Sequence, residues 1–258
     1  MAHLTLDFFS EVLGKCQSIE VILPQRTTGQ IGMTGTGEEE GTYPVLYLLH
    51  GHSDDHTIWM RRTSIERYAA SRNMAVVMPN ADLSYYTDMA CGPRYWTYIS
   101  EELPYICHQF FPRISQKRKD TYAAGLSMGG YGAFKLALRH PDRFCAAASL
   151  SGVLDISFVS AAGRNREFEN IFGDLSALKG SDNDLLAVAG RLSRNQPIPR
   201  LFACIGTEDF LYQNNQDAMN YFKSIGLPVS YHEGPGTHSW EFWDEWIQKA
   251  LAFFFDGQ

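Results

Sequence analysis

Two periods of apolar spacing alternate along this chain, and the points where one gives way to the other mark its elements. Continuous apolar runs of buried-strand type stand at residues 45–50 (VLYLLH), Ala75–Pro79 (AVVMP), 144–150 and 201–205, with a short last run at 229–232. Residues 4–14 and 16–23 read as two further strands forming an antiparallel edge. Helix-period segments lie at 64–72, about 97–111, after residue 127, at 214–224 and at 239–254, with Ser64 and Ser239 as N-caps. Pro104 falls inside the second helix and should kink it or start a new segment. Residues 24–44 are polar and glycine-rich, which predicts an exposed loop without chemistry. Residues 151–199 are polar, irregular and helix-leaning, too long for a simple crossover, and predict an insertion placed to cover a site. Strands alternating with helices predict an α/β fold with a mostly parallel central sheet and helices on both faces. With no repeat and no linker, residues 1–258 read as a single domain.

The change of period at residue 127 carries chemistry. Residues 120–140, DTYAAGLSMGGYGAFKLALRH, read as strand, tight turn and helix, with Gly125-Leu126-Ser127-Met128-Gly129 at the turn. A G-x-S-x-G turn in that setting is a nucleophile elbow, which holds a serine hydroxyl above a parallel sheet. A solvated serine in a glycine-rich turn has the same five letters. The apolar run before it and the helical period after it separate the two readings.

A serine hydroxyl needs a base to take its proton and an acid to orient that base. In an open α/β sheet such groups stand on loops at the carboxyl ends of strands, here in the order Ser, Asp or Glu, His. Asp209 follows the run at 201–205, with Glu208 beside it pointing elsewhere; Asp155 is the reserve acid. The bland reading of Asp209 is a loop aspartate bonded to its own backbone. His238 lies in a glycine-rich loop between the last strand and the last helix, whereas His232 and His140 read as structural. The oxyanion donors are the backbone N–H groups of Met128, after the nucleophile, and His52, after Gly51. His50 and His56 read as loop-shaping.

Composition removes other classes. A formal net charge of -7 argues against a nucleic-acid footprint. The opening MAHLTLDFFSEVLG lacks a basic n-region and a long apolar run, so neither a signal peptide nor a membrane span is expected. Five scattered cysteines without C-x-x-C spacing fit a reduced, cytoplasmic protein, and no spacing suggests a metal site.

Taken together, YLLHGHSDDHTIW, GLSMGGYGAFKLAL, SLSG, GTEDF and GTHSWEFW resemble the esterase D / tributyrin esterase family of α/β-hydrolases, over about residues 8–254. That family includes S-formylglutathione hydrolases, short-chain carboxylesterases and feruloyl esterases, with mycolyltransferases as relatives. The resemblance implies the α/β-hydrolase fold and a serine esterase acting through an acyl-enzyme, with no cofactor. By motif, Ser127 is similar to the family nucleophile, Asp209 to its acid and His238 to its base. His52 and Met128 match its oxyanion donors, and Trp59 an aromatic of its oxyanion loop. S-formylglutathione hydrolases often carry S-G-L-T-C where this chain has His50-Gly51-His52-Ser53-Asp54, which leans toward a tributyrin-type esterase of acetyl to butyryl esters. The alternatives are a feruloyl or acetyl-sugar esterase, an S-formylglutathione hydrolase, an acyltransferase and a non-catalytic module. Trp59, Trp96 and Trp240, with Tyr85 and Tyr86, are the aromatic candidates for the substrate pocket. The expected partner is a small-molecule ester, with no membrane or nucleic acid; a homo-oligomer is compatible with such a domain.

Overall fold

The apolar runs pair into one eight-stranded sheet in the computed structural model, which describes residues 1–27, 29–31, 41–192 and 196–256. The strands are β1 (Ala2–Ser10), β2 (Lys15–Leu23), β3 (Val45–Leu49), β4 (Ala75–Pro79), β5 (Thr121–Leu126), β6 (Ala146–Leu150), β7 (Arg200–Gly206) and β8 (Val229–Gly234). They lie in the order β1-β2-β4-β3-β5-β6-β7-β8. β2 pairs antiparallel with both β1 and β4, and every pairing from β4 to β8 is parallel. β1 and β2 thus form the antiparallel edge that the sequence predicts.

The helices are α1 (Ile58–Arg62), α2 (Ile65–Ala70), α3 (Tyr95–Thr97), α4 (Leu103–Phe110), α5 (Met128–Arg139), α6 (Ser157–Ala161), α7 (Asn165–Phe172), α8 (Leu185–Gly190), α9 (Tyr212–Ser224) and α10 (Trp240–Phe255). They cover both faces, which is why the central strands are apolar at every position and not at alternate ones. In β3, Val45, Tyr47 and Leu49 enter a core with residues of α4, α5, α8 and α9. Leu46 and Leu48 enter a second core with α1, α2 and α10. This is the α/β-hydrolase fold. Among the described residues, no helix is long and apolar enough to cross a membrane.

Several boundaries move for identifiable reasons. β1 stops at Ser10 because residues 11–14 turn back, with the Gly14 N–H donating to Ser10 O at 2.9 Å. The helix around Pro104 runs on without a gap from Tyr95 to Phe110, but it changes type just before the proline. A π-helical turn, Tyr98–Glu102, precedes α4, and Pro104 sits in the first turn of α4. Proline removes a donor and crowds the carbonyl four residues earlier. That carbonyl, Ser100 O, is taken up by Arg143 Nη2 at 2.5 Å. Ser64 and Ser239 occupy N-cap positions but make no side-chain cap bond. At α2, Thr63 Oγ1 accepts from Ile65 N–H instead. Of the loop predicted over 24–44, residues 28 and 32–40 lie outside the described residues, as do 193–195 of the predicted insertion.

Candidate active site

The strand order places a crevice before it places any side chain. After β3 the chain goes to β4 on one side, and β5 lies on the other, so the loops leaving β3 and β5 diverge. Ligands in open α/β sheets bind outside the strand ends at such a point. Glycines flank the turn after β5 because backbone meets backbone there. A Cβ on Gly125 would lie 2.4 Å from the carbonyl of Gly129, and one on Gly129 would lie 2.4 Å from Leu49 O. Between them Ser127 adopts φ 52° and ψ -119°, a strained conformation for a side-chain-bearing residue. The turn holds it there: Ser127 N–H donates to Leu150 O at 2.9 Å, and Ser127 O accepts from Tyr131 N–H at 3.1 Å. The Met128 N–H opens α5, where helical geometry supplies no acceptor.

Asp209 and His238 meet across the ends of β7 and β8. His238 Nδ1 lies 2.8 Å from Asp209 Oδ2, whose carboxylate side chain is fully buried. The other oxygen, Oδ1, accepts from Leu211 N–H at 2.9 Å. Asp209 therefore does both things weighed for it: it bonds its own backbone with one oxygen and the histidine with the other. His238 and Ser127 line one cavity, with no hydrogen bond between them among the described residues. Apo geometry of this kind is often looser than the reacting complex. Asp155 stands elsewhere, accepting from Ser157 N–H at 2.9 Å at the start of α6.

The loop after β3 is shaped by His50. Ala81 N–H donates to its Nε2 at 2.9 Å, so the ring proton sits on Nδ1, which donates to Gly51 O at 2.7 Å. Burial pushes the His50 imidazole down to about 4, so it is neutral at physiological pH. Tyr86 Oη donates to His50 O, and Trp59 Nε1 to Leu49 O. The His52 N–H has no acceptor among the described residues. The His52 ring lies 2.7 Å from Glu167 of α7, and burial holds its pKa below the ordinary imidazole value, with Glu167 opposing.

These loops and helices α6 and α7 enclose a cavity of about 750 Å³. Ser127, His238, Gly51, His52 and Trp240 line it, together with Tyr85, Phe158, Phe168 and Phe210. The pocket expectation is corrected for two tryptophans. Trp59 is fully buried behind Trp240, edge-on at 5.1 Å, because its N–H is committed to the end of β3. Trp96 is remote from the lining: it stacks on His140 at 5.4 Å, with Arg139 over its ring at 4.4 Å. Of the tyrosines, Tyr85 lines the cavity and Tyr86 braces the loop behind it.

Five contributors escape a reading of motifs. Glu208 accepts from Gly236 N–H at 2.6 Å and so ties the acid loop to the histidine loop. Phe158 and Phe168 come from helices with no signature, and Phe210 directly follows Asp209. Lys135 is fully buried, and its Nζ meets Tyr86 O, Thr87 Oγ1 and Asn183 Oδ1 at 2.7–2.9 Å. Three acceptors match the three protons of an ammonium, although burial pushes its pKa well down. It fastens α5 to the loop carrying Tyr85. Its one signal was a lone charge in the apolar run GGYGAFKLAL.

Comparison with known proteins shows the family. The profile of the family described as putative esterase matches residues 10–254. An acetyl esterase of Caldicellulosiruptor saccharolyticus is 33% identical over 265 residues, covering 98% of each chain. A fluorophosphonate-binding serine hydrolase of Staphylococcus aureus, solved with substrate bound, superposes with a TM-score of 0.87 at 38% identity, over 98% of both chains. An S-formylglutathione hydrolase structure from Staphylococcus aureus gives 0.85 at 38% identity, again over 98% of both. The chain belongs to the putative esterase family and is a carboxylic ester hydrolase built on the α/β-hydrolase fold.

Proposed function

We propose that the protein is a serine esterase in which Ser127 is the nucleophile, His238 the base and Asp209 the acid, and that it hydrolyses acetyl to butyryl esters. The observation that carries this reading is the 2.8 Å bond between Asp209 and His238, made beside a strained serine in one cavity. In the first step His238 Nε2 takes the Ser127 proton as Oγ attacks the ester carbonyl. The oxyanion is met by the N–H groups of Met128 and His52. His238 then gives its proton to the departing alcohol oxygen, leaving an acyl-enzyme. In the second step a water attacks that acyl group with His238 again as base, and the acid and free serine are released. Asp209 holds the proton of the imidazole on Nδ1 and stabilises the imidazolium. The short-acyl preference draws on the acetyl esterase relative and on the His50-Gly51-His52-Ser53-Asp54 loop.

A second reading, thioester hydrolysis of S-formylglutathione, is favoured by the name of one 38%-identical structure. Rates on p-nitrophenyl acetate, butyrate, octanoate and ferulate, with S-formylglutathione in parallel, separate the two. Ser127→Ala is expected to lose at least ~10³-fold in kcat with an unchanged circular dichroism spectrum. A folded, active Ser127→Ala protein would sink the assignment.

A further inference from the structure

We propose that Phe210 and Phe158 form an aromatic subsite for the leaving group, which selects esters of ring-bearing apolar alcohols over esters of small ones. The inference rests on the catalytic assignment above. The imidazole that accepts the Ser127 proton must return it to the departing oxygen, so the alcohol half of the ester lies on the His238 side of the cavity.

Phe210 stands on that side. Its ring centre lies 4.6 Å from that of His238, the planes inclined by 48°. The ring of Phe158, from α6, lies 6.1 Å from Phe210 at 34°. Both side chains line the cavity. Phe210 is 67% exposed, although its backbone is well anchored on either side. Asp209 N–H donates to Gly206 O, and Leu211 N–H is held by the Asp209 carboxylate. The segment therefore turns a large apolar ring toward solvent at the mouth of the cavity without being loose. Two aromatic rings from separate elements, tilted toward each other on the cavity wall, offer a third ring the offset or edge-on contacts that such groups favour.

The cavity size points the same way. At about 750 Å³ it lies well within the range that takes a drug-sized ligand, and a short acyl group fills only a small part of it. Elsewhere the lining is mixed: the loop after β3 brings Ser53 and Asp54, Arg62, Arg164 and Glu241 add charge, and Tyr85 and Phe168 add further rings. What sets Phe210 and Phe158 apart is the contact of the Phe210 ring with His238, the group that serves the departing oxygen.

The test uses butyrate esters of benzyl alcohol and ethanol. Both alcohols are unactivated, so the comparison reads recognition and not leaving-group acidity. In the wild type kcat/KM for the benzyl ester should exceed that for the ethyl ester by about tenfold or more. Phe210→Ala should lower this benzyl-to-ethyl ratio by about tenfold, Phe158→Ala by a severalfold factor, and Phe210→Trp should preserve it. The acetate-to-butyrate ratio, measured with benzyl esters, should move less than about twofold in all three. A Phe210→Ala protein that loses equally on both alcohols overturns the proposal, because the ring would then only prop His238. A wild-type enzyme indifferent to the alcohol overturns it too. Retained turnover in Ser127→Ala strikes the catalytic assignment instead, so the two failures are distinguishable.

Discussion

The strand-end loops meet the cavity with backbone packed on backbone, whereas α6 and α7 meet it with side chains. On the first wall a Cβ at Gly206 would fall 2.1 Å from Gly236 O. Thr207 N–H donates to Gly234 O at 2.9 Å, and Glu208 N–H to Gly236 O at 3.0 Å. On the second wall, Ala90 N–H donates to Ile171 O and Cys91 N–H to Asn170 O, and the rest is the packing of Phe168 and Ile171 and the His52–Glu167 pair. Chemistry demands fixed atoms, and steric exclusion supplies them. Substrate choice needs only shape, which interchangeable side chains supply.

The largest effect should come from adding one methyl to the first wall. Gly129→Ala places its Cβ 2.4 Å from Leu49 O and 2.6 Å from His50 O, and neither is a flexible side-chain end. A cost of at least ~3 kcal/mol is expected, which for a chain of this size lowers Tm by roughly 6–12 °C, with turnover lost. Phe158→Ala on the second wall removes a partly buried ring and should cost about 1–2 kcal/mol while leaving a working esterase. Thermal unfolding of the two variants checks this. Equal shifts would mean that the walls do not differ.

The same contrast explains what the sequence discloses. The elbow was legible because Gly125, Ser127 and Gly129 are required by sterics, and few other residues fit. The Asp209–His238 pair was legible because strand order constrains which loops can bring a carboxylate and an imidazole together. β4 was legible to the residue, since AVVMP is apolar throughout and buried on both faces. Trp96 misled because a tryptophan near a polar loop serves the core, stacked on His140 beneath Arg139, as readily as a pocket. Phe158 and Phe168 gave no signal, because a phenylalanine on a short helix is spelled the same whether it faces core or substrate. Glu208 was expected to point away from the histidine. It does, but onto the N–H of Gly236, two residues before His238.

That strut is the next test. Glu208→Ala frees Gly236 N–H and loosens the loop carrying His238, so kcat should fall about tenfold with KM nearly unchanged. The Gly236 bond, followed by the Thr207 side chain, holds the Glu208 carboxyl below the usual carboxylate range. A depressed carboxyl stabilises above its ordinary pKa and loses that contribution only as pH falls through the lower folded value. The variant's deficit should therefore persist across the neutral range and shrink only in acid. A deficit that appears only above neutrality would assign the loop's anchorage to another group.

The smallest effect is expected at the His52–Glu167 pair, a polar contact that joins the two walls. Glu167→Gln removes the charge facing His52, while Arg164 and the Tyr85 ring remain beside it. Burial already holds the His52 imidazole below its ordinary value, and Glu167 partly offsets that. Removing the charge should move the His52 titration midpoint lower still, as followed by NMR of its ring protons. A base depressed on folding costs stability only where the unfolded chain is protonated, below the ordinary imidazole value. The variant should therefore match the wild type in Tm at alkaline pH and fall behind it in acid, by under ~1 kcal/mol for this half-buried pair. Turnover at neutral pH should change by less than about threefold, since the proposed oxyanion donor at this position is the main-chain N–H of His52 and not its ring. A loss approaching the ~10²-fold of a missing oxyanion donor would show that α7 positions that N–H, and the second wall would then belong to the chemistry as well as to the substrate.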